Sequence, residues 1–189
     1  MKTPFGIHAE YVSERAVNNC VNMYKKDQKR VEPGKSGLFK VKPEWKDSLD
    51  LGLKVHEIDR LKIWHKEMHV IIDNYIRKFP ILKRANPWGY TDGINIQYYK
   101  PGGGYHIEHC ESMAHTESHR LFVFMTYLTD TKNGGTEFTY LNWTAPCKKG
   151  LTLLWPANYP YAHKGVISST DEKMIITGWL GFDKGKKDE

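Results

Sequence analysis

Seven short runs between residues 94 and 182 limit what this chain can become: INIQYYK, YHIEHCE, RLFVFMTYLT, GTEFTYL, GLTLLWPA, AHKGVISS and KMIITGWLGF. Each is rich in β-branched and aromatic residues, and turn-forming residues separate them at spacings of roughly ten to fifteen residues. No helical period lies between them, so βαβ units are excluded. The pattern predicts an antiparallel sandwich or barrel of jelly-roll type.

The preceding residues read differently. Over 12–29, Ser13 can cap a helix whose apolar positions Val17, Cys20, Val21 and Tyr24 recur at helical spacing. From 56 to 79 the same period recurs through Leu61, Trp64, Met68, Ile71, Ile72, Tyr75 and Phe79, and Pro80 closes it. Between them VEPGKSGLFKVKPEW has no clean period and reads as an irregular connection with one short strand. The expected organisation is mainly β with N-terminal helices: a helical support region over 1–90, a β core over 91–183 and a charged tail over 184–189, within one globular domain.

Composition narrows the class. With 189 residues and 40 % hydrophobic content, one sizeable core is expected. No apolar run approaches the roughly 18 residues that span a bilayer, and the first twenty residues lack a secretory pattern. The expectation is a cytoplasmic protein with no membrane partner. Cys20, Cys110 and Cys147 are widely spaced without a CxxC, so reduced thiols are expected rather than disulfides or a cysteine zinc site. The formal charge of +6 is compatible with nucleic acid, but by itself it is weak evidence of such a partner.

The chemistry sits in YHIEHCE, which holds two overlapping His-x-Glu pairs, His106 with Glu108 and His109 with Glu111. Residues two apart in a strand share a face, so either pair presents an imidazole beside a carboxylate. Two histidines and one carboxylate make the facial triad of non-haem Fe(II) oxygenases, which leaves coordination positions open. Downstream of residue 119 the strand-rich half has one histidine, His163, and it is the natural third ligand. Lys173, ten residues further on, opens an apolar strand. A cation inside a barrel needs an anionic partner, and a dicarboxylate co-substrate would supply one.

Taken in order, YYKPGGGYHIEHCE, FVFMTYLTD, GGTEF, GLTLLWPA and HKGVISSTDEKMIITGW closely resemble the 2-oxoglutarate- and Fe(II)-dependent oxygenases of the prolyl 4-hydroxylase type, in the compact versions of phages and bacteria. The likeness covers about residues 94–182. It implies a double-stranded β-helix, related to the cupins. It selects His109 and Glu111 by register with Tyr105, and with them His163, as Fe(II) ligands, and leaves His106 and Glu108 as candidates for touching substrate. It further implies that Lys173 holds the distal carboxylate of 2-oxoglutarate, with Tyr127 bonding the same group and Tyr99 as a further candidate. The implied reaction consumes O2 and gives succinate and CO2, with ascorbate as a further cofactor candidate. The implied substrate is a peptide or protein proline, with small molecules and nucleobases as alternatives. A non-catalytic jelly roll binding a sugar or structural metal is a third reading. The sequence departs from the commoner pattern in having Glu where Asp is more frequent, and Lys173 where Arg is also used.

Simpler expectations stand beside these. Tyr127, Trp155 and Trp179 can be core aromatics. Histidines 65 and 69 in HKEMH lack the glutamate of the zinc-peptidase motif and read as a surface pair. His115 and His119 fall in a polar loop, KPGGG reads as a tight turn beside the metal, and Cys110 is expected to be buried and inert, facing away from the ligands. Neither oligomeric state nor gating by the N-terminal half is legible.

Overall fold

A computed structural model describes residues 1–36 and 40–182; the charged tail at 184–189 and part of the Gly-rich connection lie outside the described residues. Two helices form where the period is helical. Helix α1 (Glu14–Lys26) starts at Ser13, whose Oγ accepts from the Ala16 N–H at 3.2 Å. The Ser13 N–H and hydroxyl both donate to the Glu67 carboxylate at 2.6 Å, which ties α1 to helix α2 (Lys62–Lys78). Both helices are shorter than expected because adjoining turns tighten to 3₁₀ geometry, over Gln28–Arg30 and Val55–Leu61. In the second turn Glu57 accepts from the Lys54 N–H and pairs with Arg30 and Arg60. No helix among the described residues is long and apolar enough to cross a membrane.

The strands are β1 (His8–Tyr11), β2 (Glu32–Pro33), β3 (Leu49–Leu53), β4 (Trp88–Tyr90), β5 (Ile94–Tyr99), β6 (Arg120–Tyr127), β7 (Thr131–Phe138), β8 (Trp143–Cys147), β9 (Leu151–Pro156), β10 (His163–Gly165) and β11 (Lys173–Phe182). They make a major antiparallel sheet in the order β1-β9-β6-β11-β5-β3-β2, with β4 also on β11, and a minor sheet in the order β10-β7-β8. This is the expected jelly-roll arrangement. The first 90 residues do more than support it, since β1 to β4 all join the major sheet. Strand β8 contains Pro146 and lies at the edge of its sheet, where a missing N–H is tolerated.

Period-two alternation divides the major sheet into two faces. On β6, Phe122 and Phe124 pack with Trp64, Met68, Ile71 and Tyr75 of α2, while Val123, Met125 and Tyr127 pack toward Phe138, Ala145 and Cys147 of the minor sheet. On β11, Met174, Ile176 and Leu180 join the helical cluster and Ile175 the inner one. Trp64 Nε1 donates to Thr126 Oγ1 at 3.1 Å, and Thr126 bonds the Thr152 hydroxyl at 2.7 Å, so α2 is keyed to the sheet by a buried polar chain. A one-residue slip would exchange these faces, which fixes the register.

One expected strand does not form. Residues 105–111 make only isolated bridges, Tyr105 with Lys46 and His109 with His163. The run AHKGVISS likewise contributes only the short β10. Cys20 and Cys147 are buried, and none of the three cysteines is in a disulfide.

Candidate metal centre

His109 and Glu111 are placed by backbone bonds to two different elements. The His109 N–H donates to the His163 carbonyl at 3.0 Å and the His163 N–H returns the bond at 2.8 Å, while the Glu111 N–H donates to the Ala157 carbonyl at 2.9 Å beyond β9. The side chains of residues 109 and 111 nonetheless meet. His109 Nε2 lies 3.2 Å from Glu111 Oε1, which lies 3.8 Å from His163 Nε2. Among the described residues this is the one group of three potential metal ligands whose atoms all lie within 4.8 Å of one another. A first-row divalent ion with bonds of about 2.1 Å separates adjacent ligand atoms by roughly 3 Å, so the group fits such an ion after small rotations.

Both imidazoles are oriented for ligation through Nε2. His109 Nδ1 is 2.9 Å from the Ile107 carbonyl and His163 Nδ1 is 3.0 Å from that of Tyr161. Carbonyls can only accept, so each Nδ1 carries a proton and each Nε2 points into the triad, with a lone pair at His163 and a hydrogen bond to Glu111 at His109. Tyr105 stacks on His109 with centroids 3.9 Å apart, and Trp155 meets His163 edge-on at 5.2 Å.

The electrostatics favour a carboxylate at Glu111 and a neutral imidazole at His163, while Glu111 favours the protonated form of His109. Burial opposes ionisation of Glu111, but the hydrogen bond from His109 and the charges of His109 and Arg120 hold its pKa down at about 2. Burial, reinforced by His109, lowers His163 to about 4, leaving it neutral near pH 7. For His109 burial works against the proton, yet Glu111 outweighs it and raises the pKa.

The triad borders a cavity of about 790 Å³ between the sheets. Lys173 opens β11 on its inner face, is 7 % exposed and also lines the cavity. Its Nζ donates to the Val166 carbonyl at 3.3 Å and lies 5.0 Å from the Tyr99 ring centroid. Among the described residues no carboxylate pairs with it, and burial lowers its pKa to about 8. Tyr127 lines the same cavity and donates to Thr136 Oγ1 at 2.7 Å; Tyr99 does so too and donates to Gln97 Oε1 at 2.6 Å.

Several expectations need correction. Cys110 is only half-buried and lies in the cavity wall, because the missing strand geometry lets it turn inward. Trp155 is buried, but Trp179 is only partly so and lines the cavity beneath the Arg120 guanidinium at 3.9 Å. His119 is not a free loop residue: its Nε2 is 3.0 Å from Asp92 Oδ2. Glu108 borders the cavity with an exposed side chain, whereas His106 is half-buried and is not among the lining residues.

Arg120 escapes a parity reading of the sequence. Between Phe122 and Arg120 the pairing with β11 skips one residue, a bulge that turns Arg120 to the inner face with the odd-numbered residues. There it donates to Asp92 Oδ2 at 2.9 Å and to the Glu111 carbonyl at 3.2 Å, and its guanidinium lies 3.6 Å from Glu111 Oε2.

No protein-family model matches the sequence, and no curated protein matches it. Solved structures do. A viral collagen prolyl hydroxylase from Paramecium bursaria Chlorella virus-1, solved with 2-oxoglutarate, aligns with a TM-score of 0.69 over 93 % of this chain and 95 % of its own, at 18 % identity. A prolyl 4-hydroxylase from Pseudomonas putida gives 0.70 over 95 % and 94 %, at 14 % identity. A Trichoplax adhaerens prolyl hydroxylase in complex with a peptide fragment of the hypoxia inducible factor oxygen degradation domain gives 0.67 over 93 % and 83 %, at 14 % identity.

Proposed function

We propose that this chain, whose fold is that of the prolyl 4-hydroxylases, is an Fe(II)- and 2-oxoglutarate-dependent oxygenase acting on peptidyl proline. The observation that carries the reading is the convergence of two imidazoles and one carboxylate on a cavity that also holds a buried lysine with no carboxylate partner among the described residues. In this reading His109, Glu111 and His163 hold Fe(II). Once bound with 2-oxoglutarate and O2, the iron supplies C–H oxidation coupled to decarboxylation of the oxo acid to succinate and CO2, and ascorbate keeps it ferrous.

The chain's own residues bind, orient and exclude water. Lys173 receives the distal carboxylate of 2-oxoglutarate, which supplies the counter-charge its burial otherwise lacks. Tyr127 has its hydroxyl in the same wall, where it can rotate from Thr136 to that carboxylate. Tyr99 closes the pocket beside Lys173 with its ring. Arg120 and the two Nδ1–carbonyl bonds fix the angles of the ligands, so little reorganisation accompanies metal binding.

A peptide substrate is supported by the peptide bound to the Trichoplax neighbour and by the cavity's mixed charge. Glu108, Glu117 and Asp92 stand against Lys35, Lys46 and Arg120 around it, which is not the continuous positive track a phosphodiester chain favours.

Anaerobic titration with Fe(II) and then 2-oxoglutarate tests the reading: a weak visible charge-transfer band should appear, followed by succinate formation on admitting O2. Proline-containing peptides can then be screened for increased turnover. A protein that binds Fe(II) but gives no band and no succinate with any peptide is a metal-binding jelly roll, and the proposal fails.

A further inference from the structure

Helix α2, on the outer side of the major sheet, carries a second imidazole pair. His65 and His69, one turn apart on α2, approach with their Nε2 atoms 3.1 Å apart and their ring centroids at 4.6 Å. That separation matches the roughly 3 Å between adjacent ligand atoms around an ion bound at about 2.1 Å. Asp59 Oδ1 lies 3.5 Å from His65 Nδ1, the outer carboxylate that typically fixes the tautomer of a metal-binding histidine. Tyr90 meets both rings edge-on, at 5.3 and 6.3 Å, and restrains them. Its buried hydroxyl has no hydrogen-bond partner among the described residues. Tyr90, His69 and Trp88 also line a cavity of about 310 Å³.

We propose that His65 and His69 form a second metal site, separate from the triad, for a divalent ion that favours imidazole nitrogen such as Zn²⁺, Ni²⁺ or Cu²⁺. With its Nδ1 proton directed at Asp59, His65 offers the Nε2 lone pair. His69 offers its own once its proton sits on Nδ1, so binding places the His69 proton on Nδ1. Two imidazoles are too few to hold Fe(II) well, and the order of divalent affinities favours the later metals here. The remaining positions are filled by water or by a donor entering the adjoining cavity. The site does not rest on the proposed activity, because it lies on α2, which packs on the outer face of the major sheet, whereas the triad sits on residues 109–111 and β10 of the minor sheet, beside the cavity between the sheets.

Isothermal titration of chelator-treated protein with Zn²⁺ tests the assignment. Intact protein should bind two ions, His109→Ala/His163→Ala one, His65→Gln/His69→Gln one, and the combined variant none. Zn²⁺ should also raise the thermal midpoint of His109→Ala/His163→Ala, and this rise should vanish in the combined variant. If the double-alanine variant does not fold, His69→Gln in the intact background must lose one of the two equivalents. Binding by His109→Ala/His163→Ala that survives loss of both helical histidines, or the absence of any such binding, overturns the proposal. So does an unchanged stoichiometry in His69→Gln.

Discussion

His109 and His163 donate their backbone N–H groups to one another's carbonyls, at 3.0 and 2.8 Å, as a single antiparallel bridge with no ladder on either side. Their ring centroids are 4.5 Å apart. The bridge survives a change of side chain, so His163→Ala should keep the fold and lose the ligand. The Fe(II) affinity of His163→Ala should fall by more than the roughly 10- to 100-fold typical of losing an outer partner. Circular dichroism and the charge-transfer titration check this together; near-normal Fe(II) binding would remove His163 from the ligand set.

Lys173 predicts a pH dependence. Burial lowers its pKa to about 8, so it is charged below that pH and increasingly neutral above it. If only the charged form receives 2-oxoglutarate, the apparent Kd should be flat below pH 7 and rise about tenfold per pH unit well above pH 8. Lys173→Arg should abolish the alkaline rise, since a guanidinium stays charged, even if its fork fits less well. Equilibrium titrations from pH 6 to 10 decide it. A wild-type Kd that stays flat to pH 10 would dissociate Lys173 from the co-substrate.

Arg120 should act on the metal through Glu111. Replacing it with Gln removes the cation 3.6 Å from Glu111 Oε2. Fe(II) affinity should fall about 10- to 100-fold. Because Arg120 also packs on Trp179, Arg120→Lys should restore the charge only in part. Equal affinities in Arg120→Gln and wild type would reduce Arg120 to a wall residue.

The bulge that aims Arg120 predicts a contrast between two paired glycines. Gly181 and Gly89 face each other across β11 and β4. A Cβ on Gly181 would lie 2.3 Å from the His119 carbonyl oxygen, whereas one on Gly89 meets nothing within 4 Å. Gly181→Ala should therefore cost about 1–3 kcal/mol and weaken metal binding, and Gly89→Ala should stay within about 0.5 kcal/mol of wild type. Denaturant unfolding of both variants checks the contrast.

Much of this was legible in the sequence where one periodicity acted over a whole element. The alternating runs became β5, β6, β9 and β11, and the apolar rows at helical spacing became α1 and α2. The convergence of His109, Glu111 and His163 was likewise expected from side-chain period and from family resemblance. What escaped was set by single contacts without a period. Strand β1 borrows its partner from β9, and Arg120 reaches the cavity through one skipped residue. The supposed strand over 105–111 is held by separate bridges to Lys46 and His163 and by the Glu111 bond to Ala157, so Cys110 faces where a regular strand would not put it.

The division of the major sheet into two faces has a practical consequence for anyone modifying this protein. Side chains that meet the helices and side chains that meet the cavity alternate along the same strands, with few shared neighbours. Libraries confined to Trp64, Phe122, Phe124 and Ile176 would tune thermal tolerance, and libraries on Asn95, Val123, Thr177 and Trp179 would retarget selectivity. The two searches could run in parallel and be merged, with the strand backbone as the principal channel of interference between them.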